Sequence, residues 1–190
     1  MKKLFSISLC VALSFTAVAQ QSITLSDLWQ RYSFYAGGIS GLRSMNDGAH
    51  YSATTQKTID KYSYESGEKV ATLFDIASAE GLNGFDGYSF NADETAALLE
   101  TETVGIYRYS SRSVVWLADF ESGTAKKLRD EKVRYATYSP DGLHVAYVLG
   151  NNLYSYDIAA DEHIQITNDG AFNSIINGAT DWVYEEEFAL

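Results

Sequence analysis

The chain has 190 residues, about one average domain, and sets 25 acidic against 14 basic side chains, for a formal charge of −11. An acidic balance of that size disfavours nucleic acid and leaves no basic patch for an anionic membrane. A single cysteine, Cys10, excludes an intrachain disulfide.

Taken from the start, Lys2 and Lys3 precede an apolar stretch over residues 4–19 that ends Ala17-Val18-Ala19. A positive start, an apolar segment too short to span a bilayer comfortably and an A-x-A site together predict a cleaved export signal over residues 1–19. Cleavage exposes Gln20, removes Cys10 and leaves the chain two charges more negative. The expected location is periplasmic or secreted, and no later segment reads as a membrane-spanning helix.

Residues 20–38 are expected to hold one helix and a connector. Thr24 can cap, Asp27 takes the reciprocal position of a capping box, and Leu25, Leu28, Trp29 and Tyr32 fall on one face, predicting a helix over 24–32. Residues 33–38 form the connector.

Beyond it the sequence predicts short strands, over 57–64, 69–74, 95–99, 104–109, 113–119, 134–138, 143–149 and 152–158. A turn pattern recurs among them: Met45-Asn46-Asp47-Gly48, then Phe90-Asn91-Ala92-Asp93, then Tyr138-Ser139-Pro140-Asp141-Gly142, at spacings of 45 and 48 residues. A second turn class follows each, as Tyr64-Glu65-Ser66-Gly67, Phe120-Glu121-Ser122-Gly123 and Ile158-Ala159-Ala160-Asp161. Repeats of this length with about four strands each predict β-propeller blades, because one small twisted sheet buries both faces only when stacked against neighbours. The fold class expected is all-β, an incomplete β-propeller of about three four-stranded blades over residues 39–190. A β-sandwich with coincidental turn spacing is the alternative, disfavoured because both turn classes recur. Closed propellers need at least four blades, and the tail Phe188-Ala189-Leu190 lacks a polar linker, so the chain is expected to be a truncated piece of a larger protein.

No Gly-x-Ser-x-Gly elbow occurs, and without a mature cysteine a Cys/His mechanism is excluded. His50, His144 and His163 are scattered and read as structural; no metal-binding spacing or phosphate loop is present, so no metal or cofactor is expected. The Asp-Gly pairs are accounted for as hairpin turns.

The segment Asn177-Gly178-Ala179-Thr180-Asp181-Trp182-Val183-Tyr184-Glu185-Glu186-Glu187-Phe188 is different. Three glutamates in a row ordinarily form a solvated face, but aromatic flanks predict a partly buried segment, where adjacent like charges are costly unless a cation arrives. Neighbouring residues on a strand point to opposite faces, whereas on a helix they diverge by only about 100° and two long side chains converge. If the pair acts together, residues 181–188 form a short helix capped by Thr180 or Asp181.

Within it, Asp181-Trp182-Val183-Tyr184-Glu185-Glu186-Glu187 resembles the double-glutamate motif of dipeptidyl peptidase IV and its relatives among the prolyl oligopeptidase family of serine peptidases. Tyr107-Arg108-Tyr109-Ser110 is similar to that family's aromatic-Arg-x-Ser arginine strand, and the blade turn at Tyr138-Ser139-Pro140-Asp141-Gly142 is also similar. The resemblance is weak before Phe90 and strong after Arg134. It implies that Glu186 and Glu187 bind the free amine of a peptide N-terminus, with Glu185 as an extra member facing elsewhere. It implies that Arg108 contacts the substrate's backbone carbonyl and balances the glutamates; without it Arg108 would read as a surface salt bridge. It implies an exported exopeptidase releasing Xaa-Pro or Xaa-Ala dipeptides, whose serine, aspartate and histidine lie in an α/β-hydrolase domain absent from these residues. The chain is then a substrate-gating and amine-binding part, inactive alone, with peptides as partners and no catalytic residue of its own. A tripeptidyl relative and a non-catalytic periplasmic propeller that docks proteins are the alternatives. Oligomeric state stays open, a homodimer of the whole protein being one option.

Overall fold

The computed structural model describes residues 22–188; the expected signal over residues 1–19 lies outside them. The chain divides into two compact units, with the boundary between Gly38 and Ile39.

Among the described residues of the first unit a helix, α1, spans Leu25–Trp29, and its start follows the local sequence. The Thr24 hydroxyl accepts from the Asp27 amide at 3.2 Å, while the Thr24 amide donates to the Asp27 carboxylate at 2.9 Å, a complete capping box. The helix is shorter than its apolar spacing predicted, and Tyr32 already has a left-handed backbone with φ of 49°.

The second unit consists of three four-stranded antiparallel sheets, each a meander in which sequence neighbours pair. The first holds β1 (Arg43–Ser44), β2 (His50–Thr54), β3 (Thr58–Ser63) and β4 (Lys69–Asp75). The second holds β5 (Gly87–Phe90), β6 (Ala96–Tyr107), β7 (Ser110–Asp119) and β8 (Ala125–Lys127). The third holds β9 (Arg134–Tyr138), β10 (His144–Leu149), β11 (Asn152–Asp157) and β12 (Glu162–Gln165). Two stretches expected as separate strands, 95–99 and 104–109, are one strand, β6, bent by register shifts.

The sheets stack in sequence order, and the middle one shows why. Ala97 and Leu99 of β6, with Val114, Trp116 and Ala118 of β7, face the first sheet and join Ile59, Phe74 and Phe85 in one core. The alternate residues Leu98, Val115 and Leu117 face the third sheet and join Val133, Val145, Tyr147 and Tyr156 in another. Strand alternation thus feeds two cores from one sheet, the arrangement of adjacent propeller blades rather than of a two-sheet sandwich.

The repeated turns are alike in their hydrogen bonds as well as in sequence. The amides of Met45, Asn91 and Ser139 donate to the carbonyls of His50, Ala96 and His144, and Gly48, Glu94 and Gly142 all have positive φ. These equivalences move the first repeat by one residue: Met45 matches Asn91 and Ser139, not Phe90 and Tyr138. In the second turn class Gly67, Gly123 and Asp161 likewise share a left-handed backbone. The histidines serve this frame: His50 meets Asp47 at 2.7 Å and His163 packs between Tyr147 and Tyr156.

Candidate functional site

The β6–β7 hairpin is longer than the blade it belongs to. β5 pairs with β6 only from Glu100 onward to Ala97, and β8 pairs with β7 only from Trp116 to Ala118, so residues 104–112 pair with each other alone. A two-stranded arm therefore extends past the sheet and carries Arg108 and Tyr109 at its tip. Two register shifts in β6, with Glu102 at φ of 51°, add the twist that bulges impose on such arms.

The other half of the site arrives from the end of the third blade. After β12 the chain folds back over the β10–β11 turn, where the Gly170 amide donates to the Asn152 side chain at 2.9 Å and the Asn177 amide to the Asn151 carbonyl at 3.0 Å. A Cβ on Gly170 would lie 2.3 Å from the Asn151 carbonyl oxygen, so only glycine permits this approach. The return delivers Asp181, whose carboxylate accepts from the Val183 amide at 3.0 Å and caps the expected helix. The helix closes as a π-helical turn over Tyr184–Phe188. More residues per turn than in an α-helix reduce the angle between neighbours, which favours convergence of adjacent side chains.

The three glutamates occupy three environments. Glu185 is buried, 3% exposed, although Trp182, Tyr184 and Phe188 around it are exposed. The burial anticipated from aromatic flanks is thus the work of this carboxylate instead, because it turns inward where cationic and hydroxyl partners wait. Its Oε2 accepts from the Ser110 hydroxyl at 2.9 Å. Its Oε1 accepts from the Arg134 guanidinium and from the Tyr135 hydroxyl, the latter at 2.6 Å. Burial first, then the bond to Glu185, raises the Tyr135 hydroxyl above its ordinary pKa and keeps it a donor.

Glu186 is half-buried and meets the arm. Its Oε2 accepts from the backbone amide of Arg108 at 2.6 Å, and its Oε1 lies 3.7 Å from the Arg108 guanidinium. Glu187 is exposed. The charged form of Arg108 is favoured first by Tyr109 and then by the charges of Glu186 and Glu187, so Arg108 and the two glutamates share one electrostatic neighbourhood. Arg108 and Glu186 are 78 positions apart in sequence. A cleft of about 530 Å³ opens alongside, walled by Ile106, Tyr107, Ile176, Trp182, Arg134 and Glu185.

Ser110, Arg134 and Tyr135 were not singled out for the site by sequence. Ser110 had a signal, since it closes the Tyr107-Arg108-Tyr109-Ser110 motif; Arg134 and Tyr135 read only as a strand.

The model for the dipeptidyl peptidase IV N-terminal region matches residues 91–190, more than half of the chain. The chain belongs to the dipeptidyl peptidase IV family. It is 29% identical over 173 residues to the prolyl endopeptidase FAP of Bos taurus, covering 88% of this chain and 22% of that protein. It is 31% identical over 139 residues to a probable dipeptidyl-aminopeptidase B of Chaetomium globosum, covering 71% of this chain and 14% of the relative. The crystal structure of Porphyromonas gingivalis dipeptidyl peptidase 4 superposes with a TM-score of 0.77 at 37% identity, over 90% of this chain and 25% of that one. The chain thus spans about a quarter or less of these family members, in their N-terminal propeller portion.

Proposed function

We propose that this chain is the substrate-gating part of an exported serine exopeptidase that releases Xaa-Pro or Xaa-Ala dipeptides, and that Glu186 and Glu187 hold the substrate's α-ammonium beside Arg108. The observation that carries this reading is the meeting of Arg108 with Glu186, through both backbone amide and guanidinium, from distant parts of the chain. The Arg108 amide fixes one oxygen of Glu186, and the neighbouring Glu187 stays open to solvent. Two carboxylates against one guanidinium leave a net negative site, which an ammonium with three donors completes through charge-assisted bonds. Arg108 keeps donors free for the carbonyl of the first substrate residue. Anchoring the amine at a fixed distance from a serine supplied elsewhere in the whole protein selects where the chain is cut, and such positioning is a large part of catalysis. On this reading these residues bind and orient the substrate, and the bond-breaking chemistry falls to the serine supplied elsewhere in the whole protein.

The test uses the whole protein and an Ala-Pro chromogenic amide. Glu186→Ala and Glu187→Ala should each lower kcat/KM by about 10- to 100-fold, the value of one charged hydrogen bond, with the melting temperature kept. Wild-type turnover in both variants would sink the assignment.

A further inference from the structure

Glu185 carries a connection that amine binding by its neighbours does not itself require. Its side chain bonds to Ser110 on the second blade and to Arg134 and Tyr135 on the third, and its carbonyl accepts from the Tyr109 amide at 2.9 Å. One residue thereby ties the arm tip, the terminal helix and the next blade together, one position away from Glu186.

The third-blade partners reach it by an irregular route. Consecutive residues of a regular strand point to opposite faces, so Arg134 and Tyr135 could not both meet one carboxylate oxygen. They do so because the β9–β10 pairing shifts register between Ala146 and Val148, and Tyr135 has φ of +54°. A left-handed backbone at a bulky residue costs on the order of 1–3 kcal/mol, and a bulge re-aims the side chains beside it. Arg134 bears a second cost, for its Nε is buried without a hydrogen-bond partner. Two penalties fall on the two residues that grip Oε1 of Glu185, where a regular strand would avoid the first.

We infer that Arg134 and Tyr135 are positioning residues that act through Glu185, locking the terminal helix against the Arg108 turn so that Glu186 and Glu187 stand ready for a peptide's α-ammonium. This rests on the amine-binding reading. With the lock loosened the helix drifts from the arm, and the bond from the Arg108 amide to Glu186 lengthens with it. The defect is one of substrate capture alone, whereas losing a purely structural brace would lower stability and, where activity falls, take the active serine's reactivity with it.

The experiment compares Arg134→Gln, Arg134→Lys, Tyr135→Phe and Glu186→Gln in the whole protein. It measures kcat and KM on an Ala-Pro chromogenic amide, the melting temperature, and labelling of the active serine by a fluorophosphonate that carries no amine. Arg134→Gln should raise KM about tenfold and Tyr135→Phe about threefold, with kcat changed less than about threefold and labelling at the wild-type rate, the pattern of lost binding rather than lost chemistry. Arg134→Lys should recover part of the KM. If KM is unchanged in Arg134→Gln and Tyr135→Phe while Glu186→Gln raises it, the lock is refuted and the amine site stands. Unchanged KM in Glu186→Gln refutes both. Lost labelling together with lost activity in Arg134→Gln and Tyr135→Phe makes the network a structural brace and also overturns the inference. Should Arg134→Gln fail to fold, Tyr135→Phe decides, since it removes a single oxygen.

Discussion

A carboxylate taken out of water costs several kcal/mol unless it is paired, and Glu185 meets that cost with an arginine and two hydroxyls. Glu186 and Glu187, next to it in sequence, stay in contact with solvent. Their contributions to stability should therefore differ even though their chemistry is identical. Glu185→Ala strands a mostly buried Arg134 and should destabilise the protein by about 3–5 kcal/mol. Glu187→Ala and Arg108→Gln disturb only exposed charges and should leave the melting temperature close to wild type. Thermal melts of the whole protein compare the three directly; equal shifts would mean that Glu185 is not paired as described. The sequence carried half of this distinction. The resemblance implied that Glu185 faces elsewhere, and it does, but nothing in a run of three like residues marks which one turns inward.

At the scale of elements, the middle blade has no solvent face along its centre, so single residues in it belong to one core or the other. Leu98, 1% exposed, faces the third blade, and Leu99, fully buried, faces the first. Leu98→Ala and Leu99→Ala should each cost about 2–5 kcal/mol, while Val104→Ala on the projecting arm should cost about 0.5 kcal/mol or less. Denaturant midpoints check this, and a cheap Leu98→Ala would contradict the stacked-blade packing. The blades were legible because their turns obey local rules: a side chain that accepts from amides two to five residues on, and a position that needs a left-handed backbone. The rule blurs in the first blade, where Met45 occupies the turn position held by Asn91 and Ser139, and an apolar residue there invited a match one place too early. The bulges were not legible. Tyr135 and Glu102 adopt positive φ against their own preferences. Only tertiary contacts, Glu185 in the first case and the Lys132 ammonium on the Glu102 carbonyl in the second, stand beside those distortions. The arm was misjudged for the same reason, since the bulge within β6 looked like a gap between two strands.

For the molecule as a whole, the arm tip and the terminal helix sit at one end of the sheets, the end where β5 and β9 begin and where the β6–β7 and β10–β11 turns lie. Glu185, Glu186 and Glu187 gather there with Arg108 in a chain that is already acidic, so the proposed ligand must arrive as a cation. A peptide α-amine has an ordinary pKa of about 7.7–8.0, and it is protonated below that range and neutral above it. The ammonium supplies the charge that two carboxylates need; the neutral amine does not. On the proposed function, kcat/KM for an Ala-Pro amide should hold toward neutral pH and fall about tenfold per unit above about pH 8, because kcat/KM reports the free substrate's ionisation. An N-acetylated Ala-Pro amide should lose about 100-fold or more at neutral pH, having lost both the charge and two donors, and the gap to the free substrate should narrow above about pH 8. Equal turnover of the blocked and free substrates would remove the ammonium from the mechanism. The same assay separates the tripeptidyl alternative, since a ruler set one residue longer would favour an Ala-Ala-Pro amide with a free amine over Ala-Pro.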